Sequence, residues 1–218
     1  MTRYPLRSQL LATMLAALAG YVDAVGFLAA GGYFVSFMSG NSTRLAVGLS
    51  HDRQHAVVAA GLLAAFLAGV VSGALVGHAA GRQRRGPLLL ALVAIALSVG
   101  ARLHTGGSQV VAIVCMAAAM GLMNNVFEEG GEVSIGVTYM TGSLVKLGQR
   151  LAAALLGRDR RGWIPFFLLW SGFVSGATLG ALAHASVGLA SLWVASAAAA
   201  VLALSAPRLA PPAAAERR

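Results

Sequence analysis

The sequence predicts an all-α integral membrane protein made of two inverted repeats of three transmembrane helices, each repeat carrying a re-entrant or broken helical segment. Three observations predict it. Of the 218 residues, 58% are hydrophobic and 11% charged, where an average soluble domain carries about 25% charged residues. The apolar residues gather in runs of about 20, the length that crosses a hydrocarbon core about 30 Å thick. The second half of the chain also repeats the first.

The repeat is legible in two blocks. Phe37-Met38-Ser39-Gly40 recurs as Tyr139-Met140-Thr141-Gly142, and Arg44-Leu45 is matched by Lys146-Leu147. Upstream, Asp23 falls opposite Asn125. Downstream, the Gly69 to Gly77 stretch recurs as Gly172 to Gly180, displaced by one further residue. Alanine-rich sequence can match itself once by chance, but two blocks in the same order point to duplication. A single membrane domain therefore covers 1–218, with repeat 1 at about 9–102 and repeat 2 at about 108–206. The tail, 207–218, is expected to be disordered and cytosolic.

Helix A of the first half covers 9–28. Arg3, Arg7, the apolar run and Ala17-Leu18-Ala19 also fit a secretory signal, but the run continues to Ala30 and belongs to the repeat. An interrupted segment follows at 31–50. Gly31-Gly32 loosens the chain, and Ser39-Gly40-Asn41 supplies flexible backbone and a helix N-cap. Helix B at 56–80 and helix C at 87–102 complete the half. The second half repeats this with helix A at 108–127, an interrupted segment at 130–156 opened by Gly130-Gly131 and capped by Thr141-Gly142-Ser143, helix B at 163–185 and helix C at 188–206.

Charge arbitrates the topology. If each interrupted segment dips in and returns, each half crosses three times and the second half is inverted. The cytosolic side then holds 13 of the 16 basic residues, leaving Arg44, Arg53 and Arg102 outside. Both termini are cytosolic on this reading. A fourth crossing per half is the alternative, and it would move Arg82, Arg84 and Arg85 outside together. The net charge of +9 thus lies in short loops, which suits a lipid bilayer as partner and gives no reason to invoke nucleic acid.

Gly69, Gly73 and Gly77, and in the repeat Gly172, Gly176 and Gly180, recur at four-residue spacing, so each trio shares a helix face that lets another backbone approach closely. The expectation is helix packing between the two B helices, within one chain or across a homodimer, with pore lining the lesser reading.

The candidate solute site comprises Asp23, Ser39, Gly40, Asn41, Arg44, Asn124, Asn125, Thr141, Gly142, Ser143 and Lys146. Irregular backbone at membrane depth survives only when buried in protein or lining a watery cavity. Two half-helix N-termini there would present free N–H groups and partial positive charge, reinforced by Arg44 and Lys146. That suits an anion or the carboxylate of a zwitterion. Asp23 is an acid inside an apolar helix, and such acids are costly. The blander readings are an interfacial loop with Arg44 and Lys146 snorkelling to headgroups, and an Asp23 that ends helix A in water.

Other groups point elsewhere. Asn41-Ser42-Thr43 fits the glycosylation pattern but lies in the expected bilayer region. Glu128, Glu129 and Glu132 read as a solvated cluster near Lys146, Arg150 and Arg158. His78 and His184 sit near helix ends, with no second ligand at metal spacing. Cys115 is the single cysteine and cannot form an intrachain disulfide. No hydrolase or phosphate-loop motif is present, so neither an enzyme nor a cofactor is expected.

Gly20-Tyr21-Val22-Asp23-Ala24 followed by Phe37-Met38-Ser39-Gly40-Asn41 resembles the YoaK-like family of bacterial multi-pass membrane proteins. Met123-Asn124-Asn125 and Tyr139-Met140-Thr141-Gly142 resemble that family's second polar motif. Where the family often has Thr-Gly-Asn, this chain has Ser39-Gly40-Asn41 and Thr141-Gly142-Ser143. The resemblance implies a bacterial inner membrane location and supplies no substrate. The physical reading is a secondary transporter or channel for a small polar or anionic solute. The other reading is a non-transporting scaffold or sensor.

Overall fold

Residues 5–129, 132–133 and 135–209 are described in a computed structural model. Among them the chain forms seven α-helices: α1 (Leu6–Ala29), α2 (Met38–His51), α3 (Arg53–Thr105), α4 (Gln109–Met123), α5 (Met140–Leu155), α6 (Ile164–Val187) and α7 (Leu192–Leu209). A 3-10 turn, Gly188–Ser191, joins α6 to α7. A two-residue antiparallel ladder, β1 (Glu128–Glu129) with β2 (Glu132–Val133), lies between α4 and α5.

The 53-residue α3 is helices B and C of the first half in continuity. A straight helix of that length would run about 80 Å, more than twice a bilayer core. Gly81 breaks it at φ +72, a conformation glycine adopts without a Cβ penalty. Pro87 follows early in the second arm, where a missing N–H costs least. The two arms fold back, since α4 touches both: Ala118 meets Gly69 on the first arm and Ala112 meets Gly100 on the second. At the start of α3, the Asp52 carboxylate accepts the backbone amides of Gln54 at 2.9 Å and His55 at 3.4 Å.

Two parallel pairs form the centre. Along α6, Gly172, Gly176 and Gly180 meet Thr13, Ala17 and Tyr21 of α1 in that order, so the two helices run the same way. Along the first arm of α3, Gly69 and Gly73 meet Ala118 and Leu122 of α4 likewise. Gln109 at the start of α4 donates to the Ala29 carbonyl at the end of α1, at 2.7 Å. α7 lies on the second arm of α3, where the Ser98 and Ser196 hydroxyls are 2.6 Å apart and Ser196 donates to the Ala94 carbonyl. Leu15, Val22, Leu89, Leu97, Met116, Met120 and Leu192 fill the core.

Helices α2 and α5 sit at the periphery. Only Asn41 and Gly48 of α2 are buried, and only Ser143 of α5. Leu6–Ala29, Arg53–Thr105 and Ile164–Ala206 are long and apolar enough to cross a membrane. Their outward faces carry Val57, Leu67, Leu75, Leu179 and Leu182 exposed, the inside-out pattern that lipid permits.

The boundaries depart from expectation in two places. α4 ends at Met123, short of residue 127, because the chain turns at Asn124 and Asn125 to enter the ladder. α7 runs to Leu209 and takes in the first residues assigned to the tail. Gly130, Gly131 and residues 210–218 lie outside the described residues.

Candidate functional site

The first polar centre is built where the chain doubles back after α1. Gly31 and Gly32, at φ +64 and +94, make the reversal. The returning segment then presses Val35 against Gly26, where a Cβ would stand 2.7 Å from a Val35 methyl carbon. Asp23 is buried on α1 at this level. Its Oδ1 accepts the amides of Val35 at 2.9 Å and Ser36 at 2.8 Å. Asn41, wholly buried in the first turn of α2, accepts the Phe34 amide at 3.1 Å and donates to the Phe34 carbonyl at 2.6 Å. Three consecutive amides of non-helical backbone are thereby satisfied by two side chains, as burial away from water demands.

The second centre repeats the plan with neutral groups. The Thr138 hydroxyl donates to Asn124 Oδ1 at 2.9 Å, and Asn124 Nδ2 donates to the Met120 carbonyl. Ile135 and Val137 are buried beside it. Thr138 reaches Asn124 through its hydroxyl, where Ser36 reaches Asp23 through its backbone amide.

Of the two asparagines set opposite Asp23, it is Asn124 that holds a residue of the following loop. Gly20 and Gly121 fix the register. A Cβ on Gly20 would overlap the Phe173 carbonyl oxygen, and one on Gly121 would overlap that of Phe66. The spacing from Gly20 to Asp23 equals that from Gly121 to Asn124. Asn125 does other work: its Nδ2 donates to the Val70 carbonyl at 3.1 Å and the Gly121 carbonyl at 3.2 Å, tying α4 to α3.

The glycine faces also shift. Gly69 meets the Ala118 backbone as Gly176 meets that of Ala17, and Gly73 and Gly180 follow one turn on. These contacts pair Gly69 with Gly176, one helical turn from the sequence match with Gly172. Gly77 instead faces Arg85, and Gly172 faces Thr13. The faces pack on helix A of the opposite half and not on the other B helix: α4 covers Gly69 and Gly73, and α1 covers Gly172, Gly176 and Gly180.

The remaining candidates scatter. Ser39, Thr141, Gly142 and Lys146 are exposed. Gly40 packs against the Phe37 and Phe34 rings, whereas nothing lies near Gly142. Ser143 is buried. The expected N-caps fall inside the helices: Phe37 and Tyr139 occupy the cap positions, and neither end has a side-chain cap bond. Arg44 lies 4.9 Å over the Tyr33 ring, and among the described residues no ion pair joins it to Asp23. Glu128 is paired with Arg85 at 2.9 Å, and Arg150 lies 3.6 Å from Asp159.

Sequence reasoning missed Phe34, Val35, Ser36 and Thr138, which complete the two centres. The available signal was the shared Gly-x-x-Asp/Asn spacing at Gly20–Asp23 and Gly121–Asn124, which anchors the alignment of the loops.

The family described as "Protein of unknown function (DUF1275)" matches residues 11–205. The UPF0700 transmembrane protein RA0705 of Rhizobium meliloti is 34% identical over 186 residues, covering 85% of this chain and 80% of that protein. No solved structure matches. With the apolar helices, these matches identify a helical membrane protein.

Proposed function

The chain belongs to the DUF1275 family, and for this member we propose a secondary transporter or channel for a small polar or anionic solute, built as two inverted repeats around Asp23 and Asn124. The observation that carries this reading is the pair of matched centres. In each, a chain reversal is held to a side chain of helix A, and one centre has a carboxylate where the other has an amide. Burying a carboxylate in an apolar core is costly. An amide could accept the same two backbone donors, whereas a coupled carrier needs one group that can exchange a proton or bind a cation. The opposed directions of the α1–α6 and α3–α4 pairs support the inversion.

The uncapped starts of α2 and α5 are the natural donors to an anionic or zwitterionic solute. The basic end that holds Arg7, the Arg82 to Arg85 elbow and the Arg158 to Arg161 loop is read as the cytosolic face of a bacterial inner membrane, with both termini on that side. Asn41 and Ser143 are buried, and in this reading that arrangement is the closed state of the cycle. The protein is proposed as a carrier and not as a catalyst.

Screening the purified protein for thermal stabilisation by small carboxylates and zwitterions tests the proposal, because a ligand that binds only the folded state raises its stability. Hits are then assayed for uptake into proteoliposomes. Uptake above protein-free vesicles is expected, and stabilisation without uptake would return the reading to a sensor.

A further inference from the structure

We propose that the corner formed by the end of α5, the 156–163 loop and the first turns of α6 is a binding surface for anionic phospholipid headgroups. It rests on the protein being embedded in a membrane and is independent of transport.

The corner is built to present cations. Asp159 folds the loop, its Oδ1 accepting the amides of Arg161 at 3.2 Å and Gly162 at 3.0 Å. Its second oxygen lies 3.6 Å from Arg150. The acid of this corner is thus spent on the turn and on α5. Arg158, Arg160 and Arg161 are left exposed, and among the described residues none has a carboxylate within ion-pair distance.

An apolar floor lies beside them. Trp163 donates its indole N–H to the Arg160 carbonyl at 3.0 Å, which fixes the ring next to the arginines. Phe167 follows at a ring distance of 5.8 Å and Trp170 at 6.2 Å from Phe167. Such aromatics favour the level where headgroups meet acyl chains. At the end of α5, Leu155 is 90% exposed. Cations above an aromatic and aliphatic floor match an anionic headgroup on its acyl chains. A zwitterionic lipid offers no net charge to the arginines, and free phosphate makes no use of the floor.

The full-length protein in detergent is titrated with phosphatidylglycerol, phosphatidylcholine or inorganic phosphate while thermal unfolding is followed. Phosphatidylglycerol is expected to raise the midpoint, and the Arg158→Gln/Arg160→Gln/Arg161→Gln variant to need on the order of 10-fold or more lipid for the same shift. An Arg53→Gln/Arg102→Gln control at the opposite end should titrate like wild type. Equal shifts with phosphatidylcholine or phosphate, or an unchanged triple variant, would overturn the proposal. If the triple variant does not fold, Arg160→Gln is examined by quenching of tryptophan fluorescence with brominated lipids. Stronger quenching by brominated phosphatidylglycerol than by brominated phosphatidylcholine, reduced in Arg160→Gln, is expected. No difference between the two lipids counts against the site.

Discussion

The carboxylate of Asp23 accepts the backbone amide of Ser36 at 2.8 Å, across a reversal of the chain that returns it to the level of helix α1. The bond fixes the return loop and explains why an acid stands in an apolar helix. Asp23→Leu leaves the Val35 and Ser36 amides buried without an acceptor, at about 1–3 kcal/mol each. Asp23→Asn keeps an acceptor and should lose less. Thermal unfolding in detergent should rank wild type above Asp23→Asn above Asp23→Leu, and equal midpoints would show that the loop does not depend on the bond.

The two helix pairs should respond alike to added bulk. Gly69→Val and Gly176→Val each drive a side chain into the backbone of Ala118 or Ala17, and overpacking of this kind costs about 1–3 kcal/mol or more. Gly61, with open space around it, is the control on the same helix as Gly69. Folded yield and unfolding midpoint should fall for the first two and hold for Gly61→Val.

The tip glycines should not respond alike. From sequence, Gly40 and Gly142 are equivalents that both need backbone freedom. Neither has a positive φ, and their surroundings differ. A Cβ at Gly40 would lie 2.6 Å from the Phe37 ring and 3.2 Å from that of Phe34. Gly40→Ala should therefore cost about 1 kcal/mol as the Phe37 rotamer gives way, and Gly142→Ala should fall within about 0.5 kcal/mol of wild type.

That difference shows what sequence could and could not reveal. Run length located α1, α3 and α6, and the Met-Ser/Thr-Gly blocks located α2 and α5. The register of the B helices was not legible. Glycines spaced by four on an alanine-rich helix match themselves after every turn, and the residues between them favour Gly172 as the match of Gly69. The contacts with Ala118 and Ala17 pair it with Gly176 instead. The loop residues Val35, Ser36 and Thr138 were silent because backbone amides and small hydroxyls carry no pattern until a fold brings them to Asp23 and Asn124.

The Arg85–Glu128 pair joins the elbow of α3 to the ladder after α4. Arg85 donates to both the carboxylate and the carbonyl of Glu128, at 2.9 and 2.7 Å, with both side chains about one-sixth exposed. Glu128→Gln should cost about 1.5–3 kcal/mol, the range for hydrogen bonds to charged groups. The exchanged pair Arg85→Glu/Glu128→Arg should recover part of it in a double-mutant cycle.

At the other end, a hydrogen bond from His55, helped by the Gln54 and His55 amides, holds the Asp52 carboxyl below its ordinary range. A depressed carboxyl contributes stability fully above its unfolded value of about 3.9 and loses it as pH falls through the lowered value. Exchange of the Gln54 and His55 amides, corrected for intrinsic rate, should speed up below about pH 4 in wild type. In Asp52→Asn, which keeps a capping oxygen without the titration, it should stay flat.

Water access to the two centres separates a carrier from a solid scaffold most directly. In a Cys115→Ser background, Ser36→Cys and Thr138→Cys are exposed to a small charged methanethiosulfonate reagent in membrane vesicles of each orientation. A carrier of inverted repeats predicts that Ser36→Cys reacts from the side of His51 and Thr138→Cys from the side of Arg158, each more slowly when a stabilising solute is present. If neither cysteine reacts from either side, the two centres are packed structural joints, and the transport reading is contradicted.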